Sequence, residues 1–177
     1  MPFSTNNRNK FSWSYVTQSG NFAVWRKPYK GIKGHYHAGL DFKNPGKRKG
    51  AVEAVYASAK GVVYSLHKNG PSSFVMIKHN LEGNRTIYSV YTHINDIVVS
   101  VGDTVDYTSV IGSFIDKKGL DKWGEYLNHI HFEILKTAPK FIGNENGHPV
   151  YSSYSIDCIS RFDLYDKFYN PELFFEK

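Results

Sequence analysis

A chain of 177 residues, 41% hydrophobic and 21% charged, is long enough for a real core and short for two, and it is not disordered in bulk. No apolar run approaches the length of a bilayer span. One cysteine, Cys158, excludes an internal disulfide and a multi-cysteine zinc site, so any metal must be held by histidine and carboxylate. The net charge of +6 favours an anionic partner such as nucleic acid, an acidic membrane or a carboxylate-rich cell wall.

In chain order, the opening MPFSTNNRNKFSWSY has basic residues with no apolar stretch behind them and does not read as a signal peptide. Lys43, Lys47, Arg48 and Lys49 share a Pro/Gly loop that reads as a solvated turn. Ala51–Leu66 is β-branched and aromatic with a turn at Lys60-Gly61. Phe74–His79, Thr86–His93 and Ile97–Val101 follow as short strands, then a Gly102-Asp103 turn, Val110–Phe114 and Ile130–Leu135. The expected fold is all-β and mostly antiparallel, a sandwich or barrel-like sheet. Asp116–Asn128 reads as a charged loop. Thr137–Asn170, with seven aromatics from Phe141 to Tyr169, reads as a long functional or locally folded segment, and helical periodicity surfaces only over Ser160–Tyr169. No linker or repeat divides the chain, so one domain over 1–177 is expected.

Three histidine clusters carry the chemistry. In H-A-G-L-D, a straight strand would hold His37 and Asp41 roughly 13 Å apart, too far to share an ion at bond lengths of about 2 Å. Sharing needs a bend, which Gly39 tolerates; otherwise the two are a chance or hydrogen-bonded pair. In H-I-H, alternation puts His129 and His131 on one strand face, roughly 6–7 Å apart, above a buried face of Ile130 and Phe132. Both could bind one metal, or one could bind while the other meets substrate, or the face is merely solvated. In Y-T-H, His93 ends a strand, a placement as common for caps as for catalysts. Two histidines, a carboxylate and an open fourth position suit zinc, which lowers the pKa of bound water toward about 7. The remaining histidines would orient that water, take its proton or stabilise the oxyanion.

The segments GHYHAGLDF, AVYASAKGVVYS, VMIKHN, YTHINDIVVSVGDTVDYTSVIGSF and NHIHFEIL occur in the order found in the M23 (LytM/lysostaphin-type) zinc endopeptidases of bacterial cell walls, which this chain resembles over about residues 19–136, with a closing NPELFF. The resemblance implies a LytM-like β-core with a groove, one zinc ion on His37, Asp41 and His131, and His93 and His129 as non-ligand catalytic histidines. It implies hydrolysis of peptide bonds in peptidoglycan stems or cross-links, with the D,D-cross-link expected over a glycine bridge. Nucleic acid is then not the partner. An interbacterial effector or lytic enzyme acting outside the cytoplasm fits that substrate, with a cognate inhibitor or immunity protein as a further partner. With no leader in view, a signal-independent route and a trimmed secreted protein stay open. Two departures, the charged 116–128 and the aromatic 137–170, put substrate preference in doubt. Glu133 reads equally as a partner of a ligand histidine or a surface residue; His35 as a rival ligand or a surface group; His79 as structural; His67 and His148 as solvated. A zinc-free wall-binding or regulatory module is the main alternative, and a biotinyl-type carrier, suggested by VVSVGDTVDYTSVIG, lacks a lysine at a hairpin tip.

Overall fold

Period-two alternation along His129–Leu135 organises the molecule. In the computed structural model, which describes residues 1–5, 7–29 and 31–176, this strand lies inside the larger sheet. Its Ile130, Phe132 and Ile134 turn into the core at 4% exposure or less. The early strands are β1 (Trp25–Arg26), β2 (His35–Tyr36), β3 (Gly39–Lys43), β4 (Ala54–Tyr56) and β5 (Gly61–His67). Next come β6 (Phe74–Asn80), β7 (Thr86–Thr92), β8 (Ile94–Asn95), β9 (Thr104–Val105) and β10 (Val110–Phe114). After helix α1 (Lys117–Trp123) follow β11 (His129–Leu135), β12 (Lys140–Glu145), β13 (His148–Ser152), helix α2 (Arg161–Lys167) and β14 (Phe168–Tyr169).

The larger sheet runs β14-β11-β7-β6-β5-β9, antiparallel throughout. On the β14 side of β11, the first half of that strand pairs instead with β3. A smaller sheet, β4-β10-β8, packs against it. Leu40, Phe42, Val75, Ile77, Tyr91 and Phe132 from the larger sheet meet Val55, Ile94, Ile111 and Phe114 from the smaller, with Phe3 wedged between. The sandwich expectation is met, with the apolar side chains of the two sheets meeting in one core.

The opposite face of the larger sheet is covered by the C-terminal segment. Met76, Tyr88, Val90 and Leu135 pack under Val150, Cys158, Leu164 and Phe168. Burying each large aliphatic or aromatic side chain contributes roughly 1.5–3 kcal/mol, so the segment is held as firmly as the sheet it covers. Within it, β12 and β13 form an antiparallel hairpin, and the Tyr151 amide donates to the buried Ser65 hydroxyl at 2.9 Å. A capping box between Ser160 and Asp163 starts α2, inside the window where periodicity surfaced. His67, expected in solvent, instead pairs with Glu145 at 2.5 Å and ties the hairpin to β5.

Two other expectations shift. Asp116–Asn128 is not a loop: the Asp116 carboxylate accepts from the Gly119 amide at 2.7 Å and caps α1. The helix stops at Gly124, whose φ of 119° most side chains avoid. Seven residues are too few for periodicity to show, and only Leu120 and Trp123 join Ile115 and Leu127 in a small cluster. Ile97–Val101 is not a strand. It runs irregularly into the Gly102 turn, and β9 takes the pairing with β5.

Candidate metal centre

Strand register brings the histidine clusters together. Asp41 on β3 stands directly opposite His131 on β11, and Thr92, the last residue of β7, stands opposite His131 on the other side. His37 lies in the break between β2 and β3, at His37-Ala38, and its side chain reaches Asp41 while Gly39 already belongs to β3. Gly39 serves a different need: a Cβ there would sit 2.3 Å from the Phe132 carbonyl oxygen, so only glycine lets β3 approach β11 this closely.

His37 Nε2, His131 Nδ1 and Asp41 Oδ1 form a triangle with edges of 2.8, 2.9 and 2.9 Å, buried from solvent. The other ring nitrogens settle the tautomers. His37 Nδ1 lies 2.8 Å from the Asn21 carbonyl, an acceptor only, so it carries the proton. His131 Nε2 lies 2.7 Å from Glu133 Oε1 and donates to it. With both rings neutral, as ligands to a metal must be, two lone pairs and a carboxylate oxygen aim at one point. That arrangement is repulsive unless a cation occupies it, and it is the donor set that zinc prefers. Tetrahedral ligands at about 2.0–2.1 Å stand roughly 3.3 Å apart, so each edge need open only by about half an ångström.

The electrostatics agree. Burial opposes a charge on His131, yet the hydrogen bonds to Asp41 and Glu133 push its pKa up to about 10. Burial also opposes charge on Asp41, but the two imidazoles hold its pKa well below the ordinary carboxylate value. His37 moves the other way, lowered chiefly by burial. Two buried carboxylates thus hold one positive charge between them, where a proton stands in for an ion. Glu133, 1% exposed, is an internal group and not a surface glutamate. Its other oxygen has no hydrogen-bond partner among the described residues.

His93 and His129 stand beside the triangle, their rings 4.9 Å apart and near perpendicular. His93 sits just past β7 with φ 63°, an uncommon backbone for a non-glycine residue that re-aims its ring. Its Nδ1 donates to the Pro71 carbonyl at 2.6 Å, and His129 Nδ1 donates to the Tyr126 carbonyl at 2.7 Å. Both present Nε2 as an acceptor, that of His129 lying 3.6 Å from Asp41 Oδ1. Burial, then the neighbouring His129, pushes the His93 pKa down to about 3, and burial lowers that of His129. Neutral imidazoles with an open lone pair can take protons.

These groups line a cleft of about 650 Å³. Its walls include Arg26, from the stretch leading into the first histidine motif, and Tyr126, Ser155 and Ile156 from the 116–128 and 137–170 segments, none of them singled out individually in the sequence. Arg26 Nη2 donates to Asp41 Oδ2 at 2.7 Å. Tyr126 comes from the turn after α1 and Ile156 from the C-terminal segment, so both departures from the family pattern reach the cleft. His35 lines its mouth but bonds the Lys33 carbonyl and stays out of the triangle. His79 is structural, holding the Lys60 carbonyl and Ser89 hydroxyl at 2.8 Å each. A second cavity of about 310 Å³, near His79 and the chain ends, lies apart from the triangle.

A β-sandwich with a buried His–Asp–His cation site at the base of an open cleft defines a protein of metallopeptidase type. Residues 35–152 match Peptidase family M23, and the chain belongs to that family. Among solved structures it is similar to LytU, at 21% identity over 80% of this chain and 83% of that one, TM-score 0.49. It is also similar to a zinc-containing peptidase from Vibrio cholerae, at 24% identity over 85% of this chain and 39% of the other, TM-score 0.49. The structure of the SpoIIIAH–SpoIIQ complex matches at 22% identity over 85% of this chain and 94% of that one, with a TM-score of 0.51 that carries the likeness of fold. No curated protein matches the sequence. Among the described residues no helix is long and apolar enough to cross a membrane.

Proposed function

We propose that the protein is a zinc-dependent endopeptidase acting outside the cytoplasm on peptidoglycan stem peptides or cross-links, with the D,D-cross-link as the favoured bond. His37, Asp41 and His131 would hold the ion, and His93 and His129 would act on the reacting groups. The observation that carries this reading is the triangle of mutually facing acceptors, with two neutral histidines beside it in an open cleft. When bound, zinc supplies a Lewis acid for the scissile carbonyl and makes hydroxide accessible near neutral pH.

The chain's own residues do the rest. His129, fixed by the Tyr126 carbonyl, offers Nε2 to take the proton of the attacking water. That proton would pass from His129 to the departing amine, and His93, fixed by the Pro71 carbonyl, faces His129 across the cleft, where its neutral Nε2 can orient the water by accepting a hydrogen bond. Glu133 and the Asn21 carbonyl hold the ligand rings in the metal-binding tautomer.

The test is metal analysis of the purified protein, followed by digestion of peptidoglycans with direct and glycine-bridged cross-links and identification of the fragments. Asp41→Ala and His131→Ala should lose both zinc and cleavage. His93→Ala should keep zinc and lose roughly 10²–10⁴ in rate. Full cleavage by the His93 variant would sink that role. A native protein with neither zinc nor hydrolysis would favour a wall-binding module instead.

A further inference from the structure

The β1 side of the cleft is cationic. Arg26, set opposite His35 by the β1–β2 register, lines the cleft with its side chain 27% exposed. A guanidinium has five N–H donors in a planar fork, and Asp41 Oδ2 engages one nitrogen of it. Lys27, the next residue, is exposed and lines the same wall. Asp41 is the one carboxylate among the described lining residues, and both its oxygens are occupied: Oδ1 by the imidazoles, Oδ2 by Arg26. Arg26 and Lys27 therefore face the cleft as two cations against a single anion, Asp41, that Arg26 itself engages. A cleft lined by one sign of charge focuses its field on what enters.

We propose that Arg26 and Lys27 form a carboxylate subsite beside the candidate metal centre, so that the preferred substrate is a peptide bearing a free carboxylate next to the scissile bond. The proposal rests on the peptidase reading above and adds the chemistry that selects among peptides. Arg26 is bonded to the carboxylate whose other oxygen faces the ligand nitrogens. A carboxylate on an extended peptide, which advances about 3.3 Å per residue, therefore reaches the guanidinium from the residue adjoining the bond that lies over the triangle. Ile32 and Ile156 on the cleft walls expose apolar surface that the stem of such a residue could meet.

The experiment compares a cross-linked peptidoglycan peptide whose carboxylates beside the bond are free with the same peptide amidated there, under zinc saturation. The native protein should favour the free acid about tenfold in kcat/KM, mainly through KM, as expected for one or two charge-assisted hydrogen bonds. Raising salt should shrink the ratio. Arg26→Gln and Lys27→Gln should each lower it, and Lys27→Glu should turn the preference toward the amidated form. Equal rates on the two peptides, or a ratio unmoved in both glutamine variants, would overturn the subsite. If neither peptide is cut, the peptidase reading fails and calorimetric binding of the same pair decides: a tenfold affinity difference keeps the subsite, equal affinities remove it.

Discussion

Replacing Glu133 by glutamine removes a negative charge from behind His131 and changes almost nothing in shape. The side chain is 1% exposed and accepts the His131 Nε2 proton at 2.7 Å, so its carboxylate both fixes the ring and strengthens the lone pair on Nδ1. A hydrogen bond to a charged acceptor contributes about 1.5–3 kcal/mol against about 0.5–1.5 for a neutral one. The difference, about 1–2 kcal/mol, predicts a loss in zinc affinity of roughly 5–30-fold at 1.4 kcal/mol per tenfold, close to the 10–100-fold range for such partners. Competition with a chromogenic chelator near neutral pH measures it, with circular dichroism to check the fold. Zinc affinity within about threefold of native would refute the reasoning, since Glu133 would then be a passive buried acid.

Ile156→Ala, at an exposed position on the cleft wall, should raise KM several-fold while leaving the melting temperature nearly unchanged; steady-state kinetics and calorimetry separate the two. Leu164→Ala should cost about 2–5 kcal/mol in urea unfolding, because Leu164 is fully buried in the outer core. A loss under about 1 kcal/mol would mean the C-terminal segment is not part of the cooperative fold. His79 is lowered from its ordinary pKa mainly by burial, so the unfolded chain binds its proton more readily. Its contribution is present above about pH 6.5 and lost as pH falls below it. Unfolding free energy should decline on acidification, and His79→Gln should flatten that decline.

Local pattern made most of the sheet legible. The β-branched and aromatic runs Phe74–His79, Thr86–His93, Val110–Phe114 and Ile130–Leu135 supplied β6, β7, β10 and β11, since local composition needs no partner to be specified in advance. His129 and His131 on one face followed from strand alternation. The short helix α1 and the covering role of residues 137–169 were not legible. A seven-residue helix shows too little periodicity, and which face of a sheet is covered is a matter of packing, not of local propensity.

Local pattern alone thus supplied most of the central strands, the one kind of metal site these residues allow and the family motifs. The tertiary structure decided the rest through register. Asp41 falls opposite His131, the break between β2 and β3 at His37-Ala38 brings His37 to the same point, and the left-handed turn at His93 aims that ring at His129. It also supplied Arg26 and Glu133. The sequence left Glu133 open between a partner of a ligand histidine and a surface residue, and burial under segments distant in the chain decides it, while the partner of Arg26 lies on a different strand.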